Sequence, residues 1–323
     1  MDNKPPIEKP DAATPGYHVP VLLQETVGGL VTNPGGVYID CTYGGGGHAR
    51  ELLRRLNGDA KLLAFDQDAD ASQNIPDDNR ILFVPSNFKH LRRFMRLHKL
   101  PPADGIMADL GVSSHQFDEP ERGFSTRFDA PMDMRMDRRQ SLTAFEVLNT
   151  YSEQQLHALF EQYGEVTNSK TLAKTITTVR TTTPLKTISN FKAAVHGVVK
   201  GNPNKYFAQV FQALRIEVND ELGVLRELLG QLPEALKPGG RAAIITFHSL
   251  EDRLVKLFFR NGTLTPQEEN PFDNTRPQRL FNIITPKPVT ASPEELKLNP
   301  RSRSAKLRIA ERLEETTRHQ QTN

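Results

Sequence analysis

An acidic residue followed by a run of glycines is the first feature of this sequence that could bind a ligand. Asp40 precedes the glycines at positions 44–47 in the stretch YIDCTYGGGGHARELLRRL, which covers residues 38–56. Glycine has no Cβ, so such a loop allows positive φ and brings the backbone close to a bound group. A carboxylate beside the loop would repel a phosphate but attract a cation, such as the sulfonium or ammonium of S-adenosylmethionine. The alternative is a tight turn with a structural role only.

Two further aspartates lie where a nucleotide-like ligand would need them. Asp66 follows the glycine loop by about 20 residues, the spacing at which an acid accepts hydrogen bonds from ribose hydroxyls. Both NAD and S-adenosylmethionine carry that ribose, and Asp66 could instead cap a helix. Asp109 opens the stretch DLGVSSHQ, where a carboxylate could bind an exocyclic amine and take its proton as the nitrogen is alkylated. Its alternative role is to cap the following turn.

The histidines, the single cysteine and the absence of several catalytic motifs limit which reactions the protein could catalyse. His48 directly follows the glycines, where it could contact the ligand, and its alternative role is a satisfied polar residue at the start of the helix. His248 and Ser249 are adjacent, but neighbours on a strand point to opposite faces, so they do not predict a Ser–His dyad. The sequence has no P-loop, HExxH or GxSxG motif, and Cys41 is its single cysteine. We therefore predict chemistry without a metal and without hydrolysis, and no internal disulfide.

The elements that must position these residues alternate between strand and helix. Short apolar runs predict strands at residues 37–40, 60–66, 80–88 and 103–109, and a helix follows the glycine loop. Such alternation predicts an α/β fold with a doubly wound parallel sheet. Ligands bind beyond the carboxyl ends of such strands, and those ends are marked by Asp40, Asp66, Phe88 and Asp109.

The alternation stops after the fourth strand and returns near the C-terminus. Helical patterns dominate residues 117–211, after which a single long helix over residues 215–236, a KPGG turn and a strand from Arg241 are predicted. Residues 261–274 are predicted to be a loop, and residues 280–288 and 304–312 a closing antiparallel pair. The economical interpretation is an inserted helical domain at residues 117–211 within a sheet domain formed by residues 17–116 and 212–314.

Composition and termini indicate where the protein works. The formal net charge is only +2, so an RNA-binding surface would have to come from local clusters such as FKHLRRFMRLHKL at residues 88–100. Residues 1–16 are rich in proline and charge, which predicts a disordered leader rather than a signal peptide. Residues 315–323 are predicted to be a flexible tail. No apolar run is long enough to span a membrane, so we expect a cytoplasmic location.

Several separated stretches together resemble one known family. The stretches YIDCTYGGGGHA, LLAFDQD, DGIMADLGVSSHQFDEPERGFS, PMDMRMD, FQALRIEVNDEL, ITFHSLEDRLVK and NPRSRSAKLRIAER occur in the family's order from about Tyr17 to Arg312. They resemble the bacterial MraW (RsmH) family of methyltransferases. The resemblance implies a Rossmann-like class I methyltransferase sheet with an inserted helical domain. It also implies S-adenosylmethionine-dependent methylation of the 4-amino group of a cytosine in the decoding region of small-subunit rRNA, within a ribosomal subunit.

The resemblance also assigns roles to individual residues. The implied cofactor contacts are Gly46, Gly47 and His48 in the loop, Asp66 at the ribose, Phe88 near the adenine, and Asp109 and Gln116 after the fourth strand. Asp109 is in addition the expected catalytic residue, and Asp40 is expected near the methionine amino group. The chain departs from the family pattern at His115, where proline is common, and across residues 202–210, which are expected to border the substrate cleft.

Two other functions compete with this one. The glycine loop and Asp66 also suit an NAD-dependent dehydrogenase, although Asp40 and the lack of a dehydrogenase base argue against it. The basic clusters also suit a non-catalytic RNA-binding or ribosome-assembly factor. Loss of methyl transfer under conditions where RNA binding persists would favour that second alternative.

Overall fold

A seven-stranded sheet forms the centre of the protein, whose computed structural model describes residues 20–264 and 279–314. Its strands in chain order are β1 (Val37–Asp40), β2 (Lys61–Phe65), β3 (Ile81–Val84), β4 (Ala103–Asp109), β5 (Leu236–Thr246), β6 (Phe281–Ile283) and β7 (Lys306–Arg312). Their spatial order is β3-β2-β1-β4-β5-β7-β6. Strands β1 to β5 pair in parallel, whereas β7 is antiparallel to both β5 and β6. The predicted α/β sheet and its closing antiparallel pair are confirmed.

Helices connect the strands and fill the segment between β4 and β5. The α-helices in the described part of the chain are α1 (Leu23–Leu30), α2 (Gly47–Arg55), α3 (Leu91–Leu97), α4 (Ser114–Asp118), α5 (Ala144–Thr150), α6 (Glu153–Gln162), α7 (Ser169–Val179), α8 (Ile188–Val195), α9 (Pro203–Asn219), α10 (Glu221–Ala235), α11 (Ser249–Asn261) and α12 (Pro293–Leu298). The predicted leader and tail, and most of the predicted loop at residues 261–274, lie outside the described residues. No helix within residues 20–264 or 279–314 is long and apolar enough to cross a membrane.

Both faces of the sheet are buried by helices. Successive residues of a strand point to opposite faces, so neighbouring residues belong to different apolar clusters. Ile39 and Leu63 belong to one apolar cluster, which also contains residues of α10 and α11. Tyr38 and Leu62 belong to a second cluster on the other face, with residues of α1 and α2. The sheet is therefore held rigidly between two helical layers, and the loops at its carboxyl edge have a fixed base.

A third apolar cluster lies away from the sheet and is built from α5 to α9. Met132, Met134 and Met136, from the stretch PMDMRMD, are buried in it. This separate core supports the proposed inserted helical domain. The proposed boundary at residue 212 falls within α9, which continues to Asn219.

Three predicted elements are wrong in detail. The third strand ends at Val84 and not at Phe88, because Pro85 has no N–H to donate and the Asn87 side chain accepts from Lys89 N to begin a 3₁₀ turn at Phe88–His90. The helix predicted over residues 215–236 is broken at Asp220, whose φ is 48°. The predicted turn at residues 237–240 lies inside β5, where the register with β4 shifts between Ala103 and Gly105.

Candidate active site

A cavity of about 520 Å³ lies at the carboxyl ends of the parallel strands, within the range of about 300–1,000 Å³ that is usual for ligand sites. Of the residues predicted to bind a cofactor, those that line it are Gly47, His48, Asp66, Phe88, Asp109 and Gln116. Gly46 is not in its wall and is the N-cap of α2. The predicted residues thus come together although they lie at or after the ends of four different strands, β1 to β4.

The cavity wall has two ends that differ in the strands that carry them. The Gly-loop end is lined by residues 44, 45 and 47 together with Asp66, beyond β1 and β2. The Glu251 end is lined by Phe247 and Glu251, beyond β5. Because β2, β1, β4 and β5 are successive neighbours, the ends of β2 and β5 lie about 14 Å apart. Asp109, at the end of β4, lies between the two.

The Gly-loop end is shaped by main-chain hydrogen bonds. Gly44 and Gly46 have φ of 52° and 74°, which glycine adopts without strain. Gly44 N donates to Asp66 Oδ2 at 2.7 Å, and Asp68 N donates to Asp66 Oδ1 at 2.8 Å. A side chain at Gly47 would meet Pro20 Cγ at 2.1 Å. The loop therefore needs glycine at these positions, and it holds the Asp66 carboxyl in one orientation.

Burial raises the pKa of two carboxyls near the Gly-loop end, those of Asp66 and Asp40. Burial raises the pKa of Asp66 to about 6, against the hydrogen bonds from Asp68 N and Gly44 N. Asp40 is fully buried beneath the loop and does not line the cavity. Its Oδ1 accepts from Thr42 N at 3.0 Å, and burial with the nearby charge of Asp66 raises the pKa of Asp40 to about 7. A cation bound above the loop would stabilise the ionised forms of both.

Asp109 is tied to the loop but keeps a free carboxyl oxygen. Its backbone N donates to Thr42 Oγ1 at 2.6 Å. Its Oδ1 has no hydrogen-bond partner within the described ranges, and its Oδ2 lies 3.9 Å from His48 Nδ1. Burial, with the charges of Asp40 and Glu251, raises the pKa of Asp109 to about 8. The carboxyl is thus ready to receive a hydrogen-bond donor or a positive charge.

His48 is a neutral neighbour of Asp109. Burial lowers the pKa of His48 to about 4, against the contact of its Nε2 with Val21 O at 3.0 Å. A neutral ring beside a carbonyl oxygen must carry its proton on Nε2, so Nδ1 is left as an acceptor facing Asp109. His48 therefore contributes a neutral side chain to the cavity wall, with its Nδ1 lone pair facing Asp109.

A buried ionic network that the sequence did not predict supports this region. Gln116 Nε2 donates to Asp68 Oδ2 at 2.8 Å, and Arg122 Nη2 lies 2.7 Å from the same oxygen. Arg122 also donates to the carbonyl oxygens of Arg135 and Met136, both at 3.1 Å. The carboxyl edge of the sheet is thereby connected to the methionine-rich loop, and Met136 is part of the cavity wall.

The Glu251 end was also missed. His248 and Ser249 lie at the start of α11 and not on a strand, so the strand-based argument against a dyad was wrong. The His248 side chain instead faces Glu251, with Nε2 3.2 Å from Glu251 Oε1. Glu251 Oε2 accepts from Phe247 N at 2.8 Å. The sequence signal for Glu251 was an acidic residue at the third position of a helix, which is the position of the acid in a capping box.

Three side chains at this end have metal-ligand types. One ligand atom from each of Glu221, His248 and Glu251 lies within 4.8 Å of the others. However, Arg215 already donates to both oxygens of Glu221, from Nε at 2.7 Å and Nη2 at 2.9 Å. A metal ion would have to bind beside a guanidinium cation, which repels it.

Two segments that departed from the family pattern behave differently. His115 lies in the cavity wall and its Nε2 is 3.5 Å from Asp70 Oδ2. In contrast, none of residues 202–210 is part of the described cavity wall, and Tyr206 and Val210 belong to the helical core. The segment therefore does not line this cavity, and its contact with the substrate stays a prediction.

The predicted basic helix is α3 with the turn before it. Arg92 pairs with Glu234 of α10, and its backbone N donates to Gln231 Oε1 at 3.0 Å. Other basic side chains of the segment are exposed, namely Lys89, Arg93, Arg96 and Lys99. The exposed charges begin directly after Phe88, which lines the cavity.

Strand order, the glycine loop after β1 and the acid after β2 define a class I methyltransferase fold, in which S-adenosylmethionine binds at the switch point of the sheet. The residues present fit that cofactor, because the loop leaves space above Gly45 and Asp109, in the cavity wall, has a carboxyl oxygen, Oδ1, without a partner within residues 20–264 or 279–314. The family model of the MraW methylase family matches residues 16–313, and the chain belongs to that family.

Curated relatives agree with this membership. The chain is 50% identical over 298 residues to the ribosomal RNA small subunit methyltransferase H of Flavobacterium johnsoniae, covering 92% of this chain and 98% of that protein. It is 49% identical to the protein of the same name from Phocaeicola vulgatus, covering 92% and 97% of the two chains. An rRNA methylase structure from Streptococcus thermophilus aligns over 90% of this chain and 92% of its own with a TM-score of 0.37 and 12% identity, too low for any argument. Membership of a methylase family sets the dehydrogenase alternative aside.

Proposed function

We propose that this protein methylates the 4-amino group of a cytosine in the decoding region of small-subunit rRNA. The observation that carries the proposal is Asp109, a carboxyl with a free oxygen between the Gly-loop end and the Glu251 end of one cavity. The names of the curated relatives support the rRNA substrate. The cytosine and its amino group rest on the family resemblance. Such a substrate would put the protein in the cytoplasm.

The chemical difficulty is that the amine of cytosine is a poor nucleophile, because its lone pair is delocalised into the ring. S-adenosylmethionine supplies, when bound, a sulfonium methyl: the N4 lone pair forms the new N–C bond, the S–C bonding pair stays on sulfur, and one N4 proton leaves. Holding the amine at attacking distance supplies much of the acceleration. The positive charge of the bound sulfonium would favour the ionised form of Asp109, which can then accept an N4 hydrogen, stabilise the positive charge that develops on nitrogen, and take the proton.

Each end of the cavity has a task in this proposal. Gly47, Asp66, Phe88 and Gln116 would hold the cofactor, with Gly46 shaping the loop. The Glu251 end would receive the base, which must be unstacked or single-stranded to enter. Exposed Arg93 and Arg96 would contact RNA phosphates outside the cavity.

The test is transfer of labelled methyl from S-adenosylmethionine to small ribosomal subunits and to naked rRNA, followed by mapping of the modified atom. Methyl on N4 of one cytosine is the expected result. Methyl on a ring carbon or on ribose would contradict the proposed acceptor. Binding of RNA without transfer to either substrate would favour the non-catalytic RNA-binding factor instead.

A further inference from the structure

Glu251 is a second carboxyl at the cavity, and it lies at the end that would receive the base. Its side chain is 2% exposed, yet it is part of the cavity wall. It comes from α11, directly after β5, and β5 pairs with β4 so that Ile245 lies opposite Asp109. The two carboxyls therefore extend from the ends of neighbouring strands into one space, and the charge of Glu251 acts on Asp109.

The contacts of Glu251 leave capacity for one more donor. A carboxylate has about four acceptor positions. Two accept hydrogen bonds, from Phe247 N at 2.8 Å and His248 N at 3.4 Å on Oε2, and His248 Nε2 lies close to Oε1, at 3.2 Å, without a hydrogen bond. At least one position is therefore left without a protein donor within the described residues.

The environments of the two carboxyls push their proton affinities apart. Burial opposes ionisation of Glu251, but contact with His248, the Phe247 N–H and the charge of Arg215 outweigh burial and lower the pKa of Glu251. Burial and two neighbouring negative charges instead raise the pKa of Asp109 to about 8. Paired carboxyls that differ in this way divide into a fixed charge and a proton acceptor.

We propose that Glu251 is the second acceptor for the target amine, so that one N4 hydrogen is bound by Glu251 and the other by Asp109. This proposal rests on the proposed function and adds a residue that selects the base. Two acceptors fix both N–H bonds of a primary amine, which turns its lone pair towards the methyl donor. The proton that leaves N4 passes to Asp109, because Glu251 stays ionised.

The arrangement also explains why the site would take cytosine and refuse uracil. Uracil carries a carbonyl oxygen where cytosine carries its amine, and that oxygen would face a fixed negative charge and offer it no hydrogen. A site built around a substrate N–H rejects an analogue that lacks it, because the buried acceptor is left unpaired. Phe247, beside Gly111 with its Cδ2 3.6 Å from the position of a Cβ there, adds an apolar surface to the same wall.

Glu251 also caps α11, and the test must separate that structural role from the proposed one. Glu251→Gln keeps a side-chain oxygen for the cap, since glutamine also serves at this position, but it removes the charge and adds N–H donors. Thermal melting would verify that the variant folds like the wild type. Glu251→Asp is the conservative partner that keeps the charge.

The first readout is binding without chemistry. The full chain is titrated with an rRNA fragment that carries the mapped cytosine and with the same fragment carrying uracil there, in the absence of cofactor. The wild type and Glu251→Asp should prefer the cytosine fragment, and Glu251→Gln should lose about 10- to 150-fold of that preference, the range for one charge-assisted hydrogen bond. An unchanged preference in Glu251→Gln would overturn the proposal and leave Glu251 as a helix cap.

The second readout is single-turnover transfer to small subunits at saturating substrate. We expect a rate loss of about 10- to 150-fold in Glu251→Gln, much larger than the accompanying change in cofactor affinity. Binding of Mg²⁺ or Zn²⁺ to the full chain without RNA, lost in Glu251→Gln, would instead make Glu251 a metal ligand and overturn the proposal. If the wild type itself places no methyl on cytosine N4, the proposed function fails; normal wild-type transfer with an unaffected Glu251→Gln removes only the Glu251 proposal.

Discussion

The two ends of the cavity are built in different ways. The Gly-loop end comes from a strand, a loop and a helix that are close in sequence, and main-chain N–H groups position its Asp66 carboxyl. The Glu251 end is assembled from α9, α10 and α11, and buried charges such as the pair of Arg215 and Glu221 surround it. Asp109 lies between the ends and is influenced by both. The comparison suggests that a local motif binds the cofactor, whereas tertiary packing creates the environment for the reaction.

The largest expected effect lies at the junction of the two ends. Asp109→Ala should lower single-turnover methyl transfer by about 10² to 10³ at saturating S-adenosylmethionine, because one electrostatic stabiliser of the transition state is removed. Cofactor affinity should change much less, since the charge matters most when positive charge develops on the amine. The measurement is single-turnover transfer to the small subunit beside direct cofactor titration.

The opposite pattern would assign Asp109 to the Gly-loop end. Saturated turnover within a few-fold of wild type together with a fall in affinity would make Asp109 a binding residue. The hydroxyls of Ser113 and Ser114, which also line the cavity, would then be the next candidates for polarising the amine.

A smaller effect is expected at Asp66. Asp66→Ala should weaken S-adenosylmethionine binding by about 1.5 to 3 kcal/mol, because charge-assisted hydrogen bonds to the ribose are removed. Saturated turnover should stay close to wild type. Calorimetry that finds unchanged affinity would remove the ribose assignment.

Protonation should link the two ends in a way that pH reveals. The pKa of Asp109 is raised to about 8 by burial, Asp40 and Glu251, and the pKa of Asp40 to about 7 by burial and Asp66, while the neighbouring His48 is neutral. A bound cation lowers both values, so binding releases protons and affinity should rise with pH between about 6 and 8, by up to about tenfold per unit for each proton released.

The raised pKa values of Asp109 and Asp40 also predict how the stability of the cofactor-free protein changes with pH. Their folded pKa values exceed the unfolded ones, so the folded state binds more protons and their contribution to stability falls as pH rises from about 4 to 8. Calorimetry in two buffers of different ionisation enthalpy would measure the released protons. Asp109→Asn should reduce the rise of cofactor affinity with pH. A wild-type cofactor affinity that does not change with pH would contradict the raised pKa values of Asp109 and Asp40.

The smallest effect lies outside both ends. Replacing Arg93 and Arg96 with Gln should weaken RNA binding and flatten its salt dependence, with the slope of log affinity against log salt falling by about 0.7 to 0.9 for each phosphate that the variant no longer neutralises. Arg92 is left unchanged because it pairs with Glu234. Affinity measured at several salt concentrations tests this, and an unchanged slope would make α3 an ordinary solvated helix.

The contrast between the ends also explains what the sequence could predict. The Gly-loop end was predicted because Asp40, the glycines and Asp66 follow a local strand, loop and helix pattern. Phe88 was correctly predicted to lie at the cavity, but it was assigned to β3, which ends at Val84. Pro85 is the sequence signal for that end, because proline cannot donate a hydrogen bond within a central strand.

Glu251 could not be predicted in the same way. Its place in the cavity depends on how α11 packs after β5 and on the break between α9 and α10, which the continuous apolar pattern hides. The break itself had a faint signal, because Gly223 leaves room for the Asp220 side chain, whose Oδ1 would lie 2.3 Å from a Cβ there. Buried ion pairs such as Arg122 with Asp68 join residues far apart in sequence, and no spacing rule predicts them.

The central claim is that binding and acceleration are divided between Asp66 and Asp109, and one measurement tests it directly. Cofactor dissociation constants and saturated single-turnover rates are compared for Asp66→Ala, Asp109→Ala and the double variant. We predict that Asp66→Ala changes mainly the dissociation constant, Asp109→Ala mainly the rate, and the double variant both by the sum of the separate free-energy changes. If both single variants change the same quantity, or the double variant is no worse than the more severe single variant, the two residues act as one unit and the division is wrong.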